Sequence, residues 1–195
     1  MKRSSWLLLP LLLTACGDDV VPKPKGWPRI DLPERSYVQW SAAPFTVEIP
    51  VYGRMVERTA SEGGRWFDLR FAHQRATVHF TWTPINGRLA ELIEEAHDFK
   101  RKHESMAARI NSERVLHDST RVFGTLFDVE GNVASPFVMY LTDSTDNFLY
   151  ASLYFDTRPN ADSLAPVTER LRQDMRHFAA TLRWQGSSDL SRAMP

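Results

Sequence analysis

Residues 133–156 read VASPFVMYLTDSTDNFLYASLYFD, and this stretch contains the pattern that decides the fold. Two apolar runs flank the polar residues 142–146, whose Asp and Ser side chains are typical of a turn. In the second run, 148–155, apolar side chains stand at both odd and even positions, which predicts a strand with both faces covered. The stretch therefore predicts a hairpin at the centre of a sheet.

Further strands are predicted on both sides of this hairpin. Residues 45–51 alternate apolar and polar side chains, and 66–71 and 76–82 are rich in the aromatic and β-branched residues that favour strands. Residues 122–129 form another predicted strand, which ends at the turn sequence Glu-Gly-Asn. These segments add strands to one antiparallel sheet.

Two segments instead show a helical period. Apolar residues recur every three or four positions in 88–110, after the predicted cap Asn86, and again in 164–182, after residues 160–163. The element order β-β-β-α-β-β-β-α predicts an α+β fold, an antiparallel β-sheet with two helices packed against it. This order resembles that of the PsbP/Mog1-like sandwich.

The N-terminus has the pattern of a lipoprotein signal peptide over residues 1–15. Lys2 and Arg3 precede a short apolar run that is too short to span a bilayer, which needs about 20 residues. The sequence LTAC at 13–16 then matches the bacterial lipobox, and Cys16 is the only cysteine of the chain. We therefore expect Cys16 to be lipidated and to anchor the mature chain to a membrane.

The predicted domain organisation has three further parts. Residues 16–35 are a Pro-rich tether after the lipidated cysteine, 36–184 form a single α+β domain, and 185–195 form a flexible tail. Core packing leaves three tether residues unexplained. Two interpretations stay open for them: they contact a partner protein, or they form a strap laid across the domain. These residues are Trp27, Arg29 and Asp31.

Composition excludes several classes of function. The chain of 195 residues has 24 Lys+Arg and 24 Asp+Glu, so it lacks the basic excess that nucleic-acid binding needs. A single cysteine excludes a disulfide framework and a zinc site built from paired cysteines. We expect no cofactor, no metal site and no small-molecule substrate.

The sequence contains no motif of a known catalytic centre. Nucleophile elbows, zinc-protease motifs and phosphate-binding glycine loops are all missing from it. His117 and Asp118 form the one pair that a hydrolase would use, but a polar surface loop explains them better. The acidic turn 143–146 lacks the ligand number and the glycine of an EF-hand, and hairpin turn chemistry accounts for it. We therefore expect no enzyme.

Four segments carry a resemblance to a known family. They are KPKGWPRIDLP at 23–33, PFTVEIPVY at 44–52, GNVAS at 131–135 and YLTDSTDNFLYASLYFDTRPNADSLAPV at 140–167. In this order they resemble the gliding motility lipoprotein GldD family of Bacteroidota. These are signatures of kinship, and none of them is a catalytic motif.

The resemblance implies a cell-envelope lipoprotein that supports gliding motility and type IX protein secretion without catalysis. It implies an acylated Cys16, with palmitate as a label for the acyl chains, and a domain held outside the cytoplasm at the inner or the outer membrane. Its partners would be envelope proteins of that machinery. The competing interpretation is a small-ligand-binding or hydrolytic periplasmic lipoprotein, and a chaperone or sensor for secreted cargo is a third.

Overall fold

The fold is that of a computed structural model, which describes residues 32–58, 64–104 and 107–185, with the backbone alone for 99–104. These residues form ten strands, two α-helices and a short 3-10 turn at Asp118–Thr120. In chain order the elements are β1 Tyr37–Ala42, β2 Phe45–Pro50, β3 Arg54–Arg58, β4 Arg65–Phe71, β5 Ala76–Pro84, α1 Leu89–Glu104, β6 Arg109–His117, β7 Val122–Glu130, β8 Phe137–Thr142, β9 Asn147–Phe155, α2 Ala161–Thr181 and β10 Arg183–Trp184.

The strands form two sheets in which every pairing is antiparallel. The main sheet has the order β3-β4-β5-β9-β8-β7-β6, and a small sheet has the order β1-β2-β10. The hairpin of β8 and β9 lies in the middle of the main sheet, with Thr142 paired to Phe148 beside its turn. The predicted α+β fold, with an antiparallel sheet and two helices, is therefore confirmed.

Strand β8 is buried on both faces, as all six of its residues are covered. Phe137, Met139 and Leu141 belong to the larger hydrophobic core, which includes residues of α2 and β2. Val138 and Tyr140, which alternate with them, belong to a second core that includes residues of α1. Because successive side chains of a strand point to opposite faces, α1 and α2 lie on opposite sides of the main sheet.

The two cores differ in size. The larger one combines α2, the small sheet and one face of the main sheet, and its centre includes Phe45, Phe80 and Phe178. The smaller one consists of Leu92 and Ala96 of α1, Ile85 from the turn before α1, and residues of β7, β8 and β9. Helix α1 therefore covers only part of its side of the sheet.

Four strands were not expected from the sequence: β1, β3, β6 and β10. Strand β6 is an edge strand that pairs with β7 alone, and most of its residues are exposed, so its sequence shows no apolar alternation. The predicted helix 88–110 was too long, since α1 ends at Glu104 and Ile110 belongs to β6. Ile110 fitted the helical period because it packs on the same small core as α1.

The helix starts were predicted with mixed success. Asn160, the first of the residues 160–163 that were expected to precede the second helix, caps α2, because its side chain accepts a hydrogen bond of 3.1 Å from the Ser163 amide. Asn86 does not cap α1. It adopts a left-handed conformation with φ of 47° in the preceding turn, and the Leu92 amide bonds to the Arg88 carbonyl at the start of the helix.

The end of the predicted tether lies against the domain. Leu32 packs on the larger core, and the Arg170 guanidinium donates a hydrogen bond to the Pro33 carbonyl. Arg170 Nε also donates to the Tyr52 hydroxyl at 3.1 Å, and this hydroxyl donates to the buried carboxylate of Asp174. Burial raises the pKa of Asp174, although the tyrosine hydrogen bonds and the arginine charge oppose that effect. Helix α2 thus holds the chain where it enters the domain.

Gly124 of β7 provides a test of how closely the central strands pack. A Cβ atom at this position would collide with the backbone carbonyl of Tyr140 on β8. We expect Gly124→Ala to lower the free energy of unfolding by about 3 kcal/mol, because a backbone atom cannot move aside like a side chain. Urea denaturation measures the change.

Gly64→Ala is the control for this substitution. Its Cβ would stand 3.1 Å from the Trp82 carbonyl oxygen, a milder contact than the collision at Gly124, because it needs a shift of only a few tenths of an ångström. Equal loss of stability in the two variants would contradict the special role of the β7–β8 approach.

Candidate functional site

A cleft of about 820 Å³ opens at one end of the main sheet. Its walls come from the β1–β2 turn, the start of β4, the end of β5, the 3-10 turn, the β8–β9 turn and β10. A volume of this size is within the range of ligand sites. The cleft is therefore the candidate functional site of the described chain.

Two half-buried tryptophans form walls of the cleft. Trp82 of β5 donates its indole N–H to Asn147 Oδ1 at 3.0 Å, and Trp184 of β10 donates to the Arg121 carbonyl at 3.1 Å. Trp184 also packs edge-on against Phe45. Both rings are held in place before anything binds, so they offer fixed aromatic surfaces.

Two arginines add positive charge to the same walls. Arg65 binds Glu57 through a hydrogen bond of 2.8 Å from Nε and also donates to the Ala43 carbonyl. Arg121 reaches across to the β8–β9 turn, where its guanidinium donates to the Asp143 carbonyl at 3.2 Å and to Thr145 Oγ1 at 3.3 Å. These contacts orient both guanidinium groups along the rim.

The Asp143 carboxylate organises the β8–β9 turn beside these arginines. Its Oδ1 accepts hydrogen bonds of 2.9 Å from the amides of Thr145, Asp146 and Asn147, and its Oδ2 accepts one of 2.6 Å from Asn147 Nδ2. Burial alone would raise the pKa of Asp143, but these hydrogen bonds outweigh burial and hold the pKa below its usual range. The acidic turn is thus a structural hairpin turn.

The described walls of the cleft carry aromatic rings, amide and hydroxyl groups, and charged side chains of both signs. Its described lining contains no histidine, cysteine or lysine to act as a base or nucleophile near neutral pH. Its buried acid is already saturated with hydrogen bonds, and no group of metal-ligating side chains occurs in the described ranges 32–58, 64–98 and 107–185. Stacking and charge-assisted hydrogen bonds are what these walls supply.

Of the residues singled out in the sequence, those of the acidic turn 143–146 contribute to the cleft wall. Cys16, Trp27, Arg29 and Asp31 all fall outside the described residues. His117 ends β6 and Asp118 starts the 3-10 turn, and no hydrogen bond joins their side chains in the part of the chain that the structure describes.

The cleft itself was missed by sequence reasoning, since its residues come from six separate places in the chain. The usable signal was the number of tryptophans in a chain of this size. Of these, Trp40 packs against Phe45 and Phe67, whereas Trp82 and Trp184 line the cleft.

The fold and the site define an α+β domain with a cleft lined by tryptophans and by charged side chains of both signs. A family model named gliding motility lipoprotein GldD matches residues 17–184. The chain belongs to this GldD family, which implies a role in gliding motility and indicates a membrane-anchored envelope protein. None of the described helices has the length and apolar character needed to cross a membrane.

Comparison with solved structures gives a distant likeness. The solution structure of cyanobacterial PsbP (CyanoP) from Synechocystis sp. PCC 6803 matches with a TM-score of 0.48 and 13% sequence identity. The match covers 78% of this chain and 95% of that chain. A comparison with curated protein sequences gives no match.

The Asp143 turn provides a pH-dependent prediction. Asp143→Asn removes an ionised acceptor from four hydrogen bonds, so we expect the free energy of unfolding to fall by about 2 kcal/mol at pH 7. A lowered native pKa stabilises the fold above the unfolded-state pKa of about 3.9, and this contribution is lost as the pH falls toward the native value. The difference from wild type should therefore shrink below about pH 4 in urea titrations.

Asp146→Asn is the matched control, because the Asp146 side chain is exposed in the same turn. We expect this control to change stability little at any pH. A difference between Asp143→Asn and wild type that stays constant down to pH 3 would contradict the role given to the carboxylate.

Proposed function

We propose that this protein is a non-catalytic, lipid-anchored envelope protein that supports gliding motility and type IX protein secretion through contacts with other proteins. Acylated Cys16 attaches it to a membrane, and residues 16–35 serve as the tether. The cleft at the end of the main sheet receives a segment of a partner protein. Trp27, Arg29 and Asp31 of the tether are a second candidate contact.

The cleft is the observation that carries this proposal. Two tryptophans and two arginines line the cleft, and both residue types are enriched among the residues that contribute most binding energy at protein interfaces. These are Trp82, Trp184, Arg65 and Arg121. Their side chains are held by hydrogen bonds, so little conformational freedom is lost when a partner binds. Family membership supports the link to gliding, and the lack of a histidine, cysteine or lysine among the described lining residues supports binding over catalysis.

The tether and its attachment support an anchored protein. Helix α2 holds Pro33 through Arg170, and Leu32 packs on the core, so the chain enters the domain at a defined place. A pull on the lipid anchor would therefore act on α2 and the small sheet. The lipobox at 13–16 supports lipidation at the other end of the tether.

A second candidate function is the binding of a small polar ligand in the cleft. The volume of about 820 Å³ favours it, as this space would hold a drug-sized molecule. Such a ligand would be recognised by the same tryptophans and arginines. The hydrolytic form of this alternative has no support from the lining residues.

Lipidation is tested by Cys16→Ala. We expect the variant to accumulate as an unprocessed, unacylated precursor, since the thiol is the group that receives the lipid. Metabolic labelling with palmitate and the shift in electrophoretic mobility measure both effects. Labelling that persists in the variant would refute the lipobox assignment.

The cleft is tested by Asp146→Arg, which adds a long cation to its rim. We expect reduced spreading on a surface and reduced release of type IX substrates, with normal protein levels, because the side chain obstructs the cleft. Asp156→Arg is the control, as it makes the same change at an exposed position outside the cleft. Wild-type spreading and secretion in Asp146→Arg cells would contradict the proposed use of the cleft.

A further inference from the structure

The main sheet has a second exposed surface, on the side that α1 covers only in part. We call it the basic face, and define it by side chains of β3, β4 and β5 that point to this side. Its charged residues, histidine and tryptophan are Arg54, Arg58, Trp66, Asp68, Arg70 and His79, and Val56, Thr77 and Thr81 lie between them. None of them lines the end cleft.

A single acid, Asp68, lies at the centre of the basic face. Its carboxylate binds His79 Nδ1 at 2.8 Å and the guanidinium of Arg70 at 3.0 Å, and Arg58 stands 3.8 Å away. The Asp68 side chain is 5% exposed, whereas those of Arg58, Arg70 and His79 are 51%, 55% and 44% exposed. The negative charge is therefore covered, and the positive groups face solvent.

Asp68 neutralises only part of the positive charge of the arginines on this face. Arg54 and Arg70 stand directly opposite each other in the β3–β4 register, and like charges in this position destabilise a sheet. With three arginines against one aspartate, the face carries an excess of two positive charges when His79 is neutral. A partner that brings negative charge would relieve this repulsion.

Aromatic side chains and a small pocket adjoin the charges. Trp66 is 38% exposed, and the guanidinium carbon of Arg58 lies over its ring, 5.7 Å from the ring centroid. Tyr154 packs beside His79. Two residues beyond His79, Thr81 lines a pocket of about 310 Å³ between β5, β9 and α1. The other lining residues of this pocket are Thr83, Leu92, Glu95, Ala96, Phe148 and Tyr150.

We propose that the basic face and the adjoining pocket bind an acidic segment of a partner protein, with one apolar side chain of that segment placed in the pocket. Carboxylates of the segment pair with Arg54, Arg58 and Arg70, and Trp66 packs beside them. The pocket accounts for the apolar anchor through Leu92, Ala96 and Phe148, and Glu95, which also lines it, is exposed to solvent. This contact goes beyond the proposed function, because it is a second site on another surface.

The composition of the face favours a protein over a membrane surface. Polybasic segments that bind anionic lipids carry about four to eight Lys and Arg residues, whereas this face has three arginines and no lysine. Tryptophan, tyrosine and arginine are the residues enriched at protein interfaces. A pocket for one side chain next to the charges is also a feature of protein contacts.

The experiment uses the full-length, acylated protein in detergent and three synthetic peptides. The first has four glutamates around a central leucine, the second replaces the glutamates by glutamines, and the third replaces the leucine by serine. We expect the first peptide to bind about tenfold more tightly than the second, and several-fold more tightly than the third. Titration calorimetry at low salt measures the dissociation constants.

Two double variants locate the binding on the molecule. Arg54→Gln/Arg58→Gln removes two exposed arginines from edge strand β3, and we expect it to raise the dissociation constant of the first peptide about tenfold. Arg109→Gln/Arg114→Gln removes two exposed arginines from the opposite edge strand, β6, and we expect it to change binding less than about twofold. Thermal unfolding of both variants checks that the fold is kept. If the β3 variant does not fold, Arg54→Gln alone replaces it.

Several outcomes overturn the proposal. The proposal is wrong if the first peptide does not bind, or if the β3 and β6 variants weaken its binding equally. It is also wrong if the glutamate and glutamine peptides bind with equal affinity. Binding to phosphatidylglycerol vesicles through the β3 arginines, without binding to the acidic peptide, would assign the face to a membrane instead. The Asp146→Arg variant of the cleft should bind the peptide like wild type, so failure at one site is distinguishable from failure at the other.

Discussion

Two-sided burial of the β8–β9 hairpin is the constraint on which the rest of the structure depends. Phe137, Met139 and Leu141 require an apolar cover on one face, and Val138 and Tyr140 require one on the other. No single helix can supply both, because the sheet itself separates them. Helix α2 with the small sheet covers one face, and α1 covers the other.

The unequal size of these covers explains which surfaces of the main sheet stay exposed to solvent and can contact a partner. The side of α2 forms a continuous core, and that helix also holds Pro33 of the incoming chain through Arg170. Helix α1 packs mainly over β8 and β9, which leaves the outer face of β3, β4 and β5 exposed to solvent. The end of the sheet, where turns converge, forms the cleft between Trp82 and Trp184.

The elements that were predicted correctly from the sequence are those whose side chains are largely buried. The hairpin 133–156 was predicted from its two apolar runs, the strands near 66–82 from their aromatic and β-branched residues, and the second helix from its apolar period, and all three signals reflect buried side chains. The edge strand Arg109–His117 was not predicted, since one paired edge and exposed side chains impose no such pattern. The candidate cleft was not predicted for a different reason: Arg65, Arg121 and Trp184 are brought together by the packing of segments that are distant in the chain.

The sequence by itself determined the α+β class, the central hairpin and the kinship with the GldD family. All three leave local signals, because apolar runs, helical periods and family segments each lie within a short stretch of the chain. It also predicts the anchor at Cys16, where a processing motif needs no folded structure. Only the tertiary structure decided which arginines and tryptophans share a surface. That property depends on strand register and turn geometry, which bring residues as distant as Arg65 and Trp184 to one cleft.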